Sequence, residues 1–460
     1  MGIVKKIIHV GLANGAQVLS GALLGLLIPK YLSIEGYADY RTFTLFVGYI
    51  GLFHLGYADG IFIDYAGNEL QERNKEIIRG DFIQFLAIET ALTLGLTILS
   101  VLLGNKLLTL LSIAIVPYNT NTYFQRLFQS IGRLDTYSNS IFYYSCISTV
   151  GTLTLIFSLN CSCVDLFCLV LICSNIAAAI YQYYRFCRLV GGISHAVFSI
   201  NRIRYLVKTG FAVLLGNIAV NLFYGIDRWA VKLFFSTEEF AYYSFAVSML
   251  NILTTLLQAV SISLFSYLAT DEGLERVEPA RRAILSVGII SGLCYFPLRL
   301  IVSLFLPEYL MSLSIIGISI AMIPYMLYIN AITINIYKIK QKQTTYLRTM
   351  IVMLLIVTVS ALIASTFRDC RAVALSSVIC YIGWYIYSRY IADEYDHITA
   401  LEFVLLLCIT VCYLVCTEMT TAVGLTVYFS ASLLACLLLL YPIRYKIFKL
   451  VNRSDKHKSN

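Results

Sequence analysis

Apolar runs of membrane-crossing length, each closed by a short polar connection, recur along the whole chain. Read with a window of about 19 residues, the pattern places spans near 7–29, 41–62, 81–103, 107–131, 137–158, 165–187, 205–226, 240–268, 283–306, 310–336, 347–366, 371–390, 399–417 and 421–442. The fold expected is an all-α polytopic membrane protein of about fourteen transmembrane helices. Stretches such as Ile284 to Leu293 and Ala431 to Leu440 contain no charged residue. The first run, Ile7 to Pro29, is too long for the apolar core of a signal peptide and reads as the first span.

Composition agrees with this pattern. Of 460 residues, 59% are hydrophobic and 13% charged, against roughly 45–50% and about 25% in soluble domains. No stretch is charged enough to clothe a water-facing domain. Most of the 34 Lys and Arg fall on alternate connections, which by the positive-inside rule puts both termini in the cytoplasm. The basic tail 444–460, with Arg444, Lys446, Lys449, Arg453, Lys456 and Lys458, then faces the anionic headgroups of membrane lipids. Nucleic acid is not an expected partner.

The connections 63–80 and 188–204, the longest, are too short to house a catalytic domain. No nucleotide, zinc-protease or serine-hydrolase signature occurs, so an ATP-driven pump is disfavoured, an enzyme less favoured, and no cofactor is expected. The thirteen cysteines lie mostly inside apolar runs and read as small core residues.

Comparing the chain with itself adds more. Residues 33–40, Ser-Ile-Glu-Gly-Tyr-Ala-Asp-Tyr, recur as 236–243, Ser-Thr-Glu-Glu-Phe-Ala-Tyr-Tyr. Six spans separate the copies, so both face the same side and the halves are parallel repeats. Two six-helix lobes follow, 1–200 and 201–397, then two further helices in 398–443. In span seven Asn217, Asn221, Tyr224 and Arg228 are spaced to share one helical face; in span one Asn14, Gln17, Gly21 and Gly25 do likewise. Amides in hydrocarbon need partners or water, so these stripes should face a cavity or another helix.

The segments Ile28-Pro29-Lys30-Tyr31-Leu32-Ser33-Ile34-Glu35-Gly36-Tyr37-Ala38-Asp39-Tyr40, 49–57, 129–137 and Gly225-Ile226-Asp227-Arg228-Trp229 through 243–246 resemble the polysaccharide-transporter branch of the multidrug/oligosaccharidyl-lipid/polysaccharide (MOP) exporter superfamily. The resemblance covers most of 1–270. It implies a flippase in the bacterial inner membrane that carries undecaprenyl-pyrophosphate-linked oligosaccharides of O-antigen, capsule or another exopolysaccharide to the outer leaflet. A polymerase and glycosyltransferases of the same pathway would be its partners. Alternatives are a small-molecule exporter of the same superfamily and a membrane polysaccharide polymerase or ligase.

Such a substrate requires cations for the diphosphate and amides or hydroxyls for the sugars. Arg228 is the leading cation, against pairing with Asp227 or Glu238. Arg299, inside span nine, divides between a cavity cation and a snorkelling or helix-pairing residue. Glu89, inside span three, is the ion-coupling candidate, against a structural acid. His54 and Asp59 are weaker candidates for that task.

Overall fold

The computed structural model describes residues 3–66, 75–192, 196–268, 277–340, 342–392 and 399–443. The basic tail, and the connections around 67–74, 269–276 and 393–398, lie outside the described residues. Among those described, the chain forms α1 (Ile3–Tyr31), α2 (Ile34–Val47), α3 (Tyr57–Tyr65), α4 (Lys75–Leu102), α5 (Lys106–Ser130), α6 (Leu134–Leu153), α7 (Val164–Val190), α8 (Ile200–Phe234), α9 (Thr237–Leu268), α10 (Val277–Ser291), α11 (Tyr295–Phe305), α12 (Ser312–Ile320), α13 (Ile323–Tyr328), α14 (Ile334–Ile339), α15 (Gln343–Ser365), α16 (Cys370–Ala392), α17 (Ala400–Glu418) and α18 (Thr421–Leu440).

The protein is an all-α polytopic membrane protein. Among the described residues ten helices are long and apolar enough to cross a bilayer, and two bent pairs bring the number to twelve. The pairs are α2 with α3, bent by 62°, and α12 with the helix that follows it, bent by 43°. Helices α5 and α9 are not among these, yet at 25 and 32 residues both are long enough to span. For α5 the reason is visible. Asn119, Thr120 and Asn121 are buried, so its polar groups meet protein rather than lipid. Counting α10 with α11 and α12 with α13 and α14 as single spans, these are the fourteen units that the hydrophobic pattern predicts.

The repeat is expressed in helix ends. Tyr31 and Phe234, Tyr65 and Leu268, and Leu102 and Phe305 close successive helices of the two series, each pair 203 residues apart. The repeated octapeptide supplies the same local structure twice. Ser33 caps α2 by accepting from the Gly36 amide, and Ser236 accepts from the Glu239 amide while Glu239 reaches back to Ser236, a reciprocal capping box. One turn on, Tyr37, Ala38 and Tyr40 are buried, as are Phe240, Ala241 and Tyr243. The octapeptide is therefore a helix start followed by a core-facing turn.

The chain divides into two compact units, 1–222 and 223–460, with the division falling within α8. In the first, Phe82, Tyr123, Phe124 and Phe186 from α4, α5 and α7 form an aromatic core, with ring centroids 4.9–5.6 Å apart along Phe82–Phe124, Phe124–Phe186 and Phe82–Tyr123. Helix α3 crosses α8 at backbone contact. A Cβ on Gly60 would lie 2.1 Å from the Leu206 carbonyl oxygen, and one on Gly210 would lie 2.0 Å from the Gly56 carbonyl oxygen. Just beyond the crossing, Arg202 grips Asp81 through Nε (3.0 Å) and Nη2 (2.8 Å) and Asp64 through Nη2 (2.6 Å). Tyr65 donates to Asp81 at 2.7 Å. A buried Asp81 is tolerated because every charge in the cluster is answered.

In the second unit Arg281, wholly buried, and Arg282 both bind Glu402 at the start of α17, and Arg282 also binds Glu278 at 3.0 Å. Tyr428 donates to the Ile289 carbonyl at 2.7 Å. The last two helices are thus fastened to α10 by buried polar contacts as well as by packing.

Candidate functional site

The second span breaks in its middle. After α2 the chain makes a 3₁₀ segment, Ile50–His54, then passes through Leu55 at φ 50° and Gly56 at φ 85° before α3 begins. Only glycine fits at 56, because its φ is left-handed and its Cα faces the backbone of Gly210 and Phe211. A cavity of about 320 Å3 is walled by the broken span, α5 and the first half of α8.

Its polar lining is Tyr49, His54, Asp59, Thr122, Arg126, Asn217 and Asn221. Arg126 Nε lies 3.3 Å from Asp59 Oδ1; the carboxylate is buried, whereas the guanidinium is one-third exposed. The pair is locally neutral, with its cationic half towards open space. His54 is buried, and its Nδ1 accepts from the Gly56 amide at 3.1 Å, leaving Nε2 as the proton-bearing nitrogen of the neutral ring. Asn221 donates to the Gly48 carbonyl at 3.4 Å, and Tyr49 donates to the Asn221 carbonyl at 3.4 Å. These contacts tie the rim of the break to α8. Amides that both donate and accept suit hydroxyl-rich ligands, and a planar guanidinium suits phosphate or carboxylate oxygens.

The structure sorts the sequence-derived candidates. Asn217 and Asn221 stand together in this cavity wall. Tyr224, the next member of their stripe, instead donates to Asn330 Oδ1 at 2.9 Å within the second unit. Asn330 belongs to a π-helical turn, Ile329–Thr333, a local irregularity that is frequent at functional sites. Arg228 is half-buried; the neighbouring Asp227 accepts from the Tyr243 hydroxyl at 2.8 Å and from the Arg228 amide at 2.7 Å. Asn14 and Gln17 are exposed on α1 and do not line the cavity. Arg299 takes the helix-pairing alternative: its Nη1 donates to the Thr417 and Met419 carbonyls at 2.9 and 2.7 Å, capping the C-terminus of α17.

Glu89 is fully buried. Its Oε2 accepts from Asn119 Nδ2 at 2.8 Å, and the same Nδ2 lies 3.3 Å from the Ile50 carbonyl oxygen at the break. Sequence reading missed Arg126 and Asn119, and the glycine crossing that frames the cavity. Signals existed for two of them. An arginine and an aspartate in separate spans are a candidate pair, and Gly56-x-x-x-Gly60 is a close-packing motif.

The sequence matches no family model and no curated protein. Solved structures do match in fold. "Lipid II flippase MurJ, inward closed conformation" superposes with a TM-score of 0.74 at 14% identity, covering 95% of this chain and 99% of its own. An inward-facing multidrug resistance MATE family transporter of the MOP superfamily gives 0.57 at 14% identity over 84% of this chain and 94% of its own. A MOP superfamily transporter from Pyrococcus furiosus gives 0.52 at 12% identity over 85% of this chain and 96% of its own. The chain has the fold shared by these MOP-superfamily transporters.

Proposed function

We propose that this protein is a transporter that flips a polyprenyl-pyrophosphate-linked oligosaccharide from the cytoplasmic to the outer leaflet of a bacterial plasma membrane by alternating access. The observation that carries the reading is the cavity at the broken second span, where one partly exposed guanidinium, two amides, a tyrosine and a threonine converge inside a membrane unit. Burying such groups in hydrocarbon is costly unless water or a polar ligand meets them. Sugar hydroxyls and phosphate oxygens are that ligand chemistry, and the polyprenyl tail need not enter. The MurJ match, spanning nearly the full length of both chains, supports a lipid-linked substrate. Arg228 remains a second candidate cation, and both termini are placed in the cytoplasm on their charge.

A small-molecule exporter is the second reading. The MATE matches support it, as does a cavity of about 320 Å3, at the small end of the range for drug-sized ligands. One experiment separates the two. Arg126→Ala, Asn217→Ala with Asn221→Ala, and Arg228→Ala are expressed in a host deleted for the gene, with protein abundance checked. The flippase reading expects lipid-linked units to accumulate on the inner leaflet and surface polysaccharide to fall about tenfold or more, the loss of roughly 1.4 kcal/mol of substrate binding. Normal polysaccharide in the deletion host, together with increased sensitivity to cationic dyes, would favour the exporter instead.

A further inference from the structure

Glu89 presents an anomaly that the cavity's own lining does not use. Among the described residues its buried Oε1 has no hydrogen-bond partner, while Oε2 has one, Asn119. The acid sits one turn beyond Phe85, whose ring stacks on Tyr123 at 4.7 Å, so apolar surface closes it from one side. Asn119 connects it to the other side, because the same Nδ2 that binds Glu89 also reaches the Ile50 carbonyl. Ile50 begins the 3₁₀ segment whose next residues, Gly51, Leu52 and His54, wall the cavity. That segment ends in Leu55 at φ 50°, a left-handed conformation that costs a branched residue energy and persists only where neighbours impose it.

We infer that Glu89 is a proton-binding site whose occupancy sets the conformation of the 50–54 break through Asn119, and so the shape of the cavity. With a proton on Oε1, Oε2 accepts from Asn119 and the arrangement seen here is satisfied, the Oε1 hydroxyl needing no acceptor as urgently as an anion needs donors. When the O–H bond at Oε1 breaks and the proton passes to water, the carboxylate gains a second oxygen that demands a donor. The Asn119 amide turns fully to the acid, releases the Ile50 carbonyl, and the strained break loses its tether.

Among the described residues no group of three His, Cys, Asp or Glu is placed to hold a metal ion; the sodium arm of the test below separates a monovalent cation from a proton. Other titratable groups on the elements packed against this part of α4 are His54 on the break, Tyr123 and Arg126 on α5, and Tyr183 on α7. None of them is hydrogen-bonded to Glu89. His54 lies on the responding segment itself and is the competing sensor, which the test must separate.

The inference rests on the transport reading for its purpose, but its test needs no transport. Full-length protein in lipid nanodiscs is followed by hydrogen–deuterium exchange over 48–56 between about pH 5 and about pH 9, corrected for the intrinsic pH dependence of exchange. The carboxylic C=O stretch is followed in parallel by infrared difference spectroscopy. Wild type is expected to lose about tenfold protection across the range, with a titrating carboxyl band. In Glu89→Gln, an isosteric change, the band disappears and protection becomes independent of pH. In Asn119→Ala the band still titrates but the segment no longer follows it. Unchanged protection of the α4–α5–α7 core peptides confirms that the variants are folded. PH-dependent protection surviving in Glu89→Gln would assign the switch to His54 and overturn the proposal. So would a flat wild-type profile, or a change produced at fixed pH by sodium against choline. A positive result beside normal polysaccharide in the deletion host would leave the switch standing and remove the flippase reading.

Discussion

The crossing of α3 and α8 makes a quantitative prediction about a pair of identical substitutions. Gly60→Ala puts a methyl 2.1 Å from the Leu206 carbonyl oxygen, whereas a Cβ is essentially never found nearer than 3.0 Å to another heavy atom. The obstructing atom is backbone, so no side chain can swing aside and the helices must part by about 1 Å, which forfeits a quarter to a half of each dispersion contact along the seam. Overpacking of this kind costs about 1–3 kcal/mol, and a rigid obstacle places Gly60→Ala at or above the upper figure. Gly15 in α1 is the control, because a Cβ there would meet nothing within 4 Å. Gly15→Ala should gain about 0.5–1 kcal/mol from helix propensity alone. Thermal midpoints read by detergent size-exclusion after heating should therefore fall by about 6 °C or more for Gly60→Ala and hold or rise slightly for Gly15→Ala, at about 2–4 °C per kcal/mol. Gly210→Ala should resemble Gly60→Ala, and the double variant should cost less than the sum, since the helices part once. Equal midpoints for Gly60→Ala and Gly15→Ala would refute the backbone contact.

Two further outcomes follow from the ion and cap contacts. Arg299→Ala removes two charge-assisted hydrogen bonds to the Thr417 and Met419 carbonyls, worth about 1.5–3 kcal/mol each at most; exchange across 414–420 should quicken, Arg299→Lys should recover part of the protection, and unaltered exchange would return Arg299 to the list of transport cations. Arg202→Ala leaves Asp64 and Asp81 facing each other without their cation, a loss of about 3–5 kcal/mol. Folded yield should collapse and be partly restored by adding Asp81→Asn; wild-type yield in Arg202→Ala would show the cluster to be dispensable.

How far the sequence reached depends on what each feature requires. The apolar period needs only local chemistry, because hydrocarbon forces every backbone group into helical hydrogen bonds, and all fourteen predicted spans have helical counterparts. Even α5, whose Asn119 to Thr122 run dilutes the signal, falls within the span read at 107–131. The octapeptide at 33–40 and 236–243 was legible as a repeat, but its meaning, a cap followed by a buried turn, needed the burial of Tyr37 and Phe240 to be seen. The i, i+4 spacing of Asn217 and Asn221 left open a cavity or another helix, and the structure shows both: the two line the cavity, and Asn221 also donates to the Gly48 carbonyl. Tyr224, on the same face, meets Asn330 of another helical segment instead, since helical phase says which side a residue takes and not which neighbour waits there.

The chain by itself therefore determined the class, an all-α bundle of membrane-crossing helices, as a consequence of periodicity and of the cost of unsatisfied backbone in lipid. Tertiary structure decided the rest. Arg126 meets Asp59, Arg299 caps α17 and Asn119 joins Glu89 to Ile50 only because separate helices meet at particular heights. A charge or amide in hydrocarbon must find a partner, but sequence spacing sets only the face from which it searches; the packing of the other helices chooses the partner.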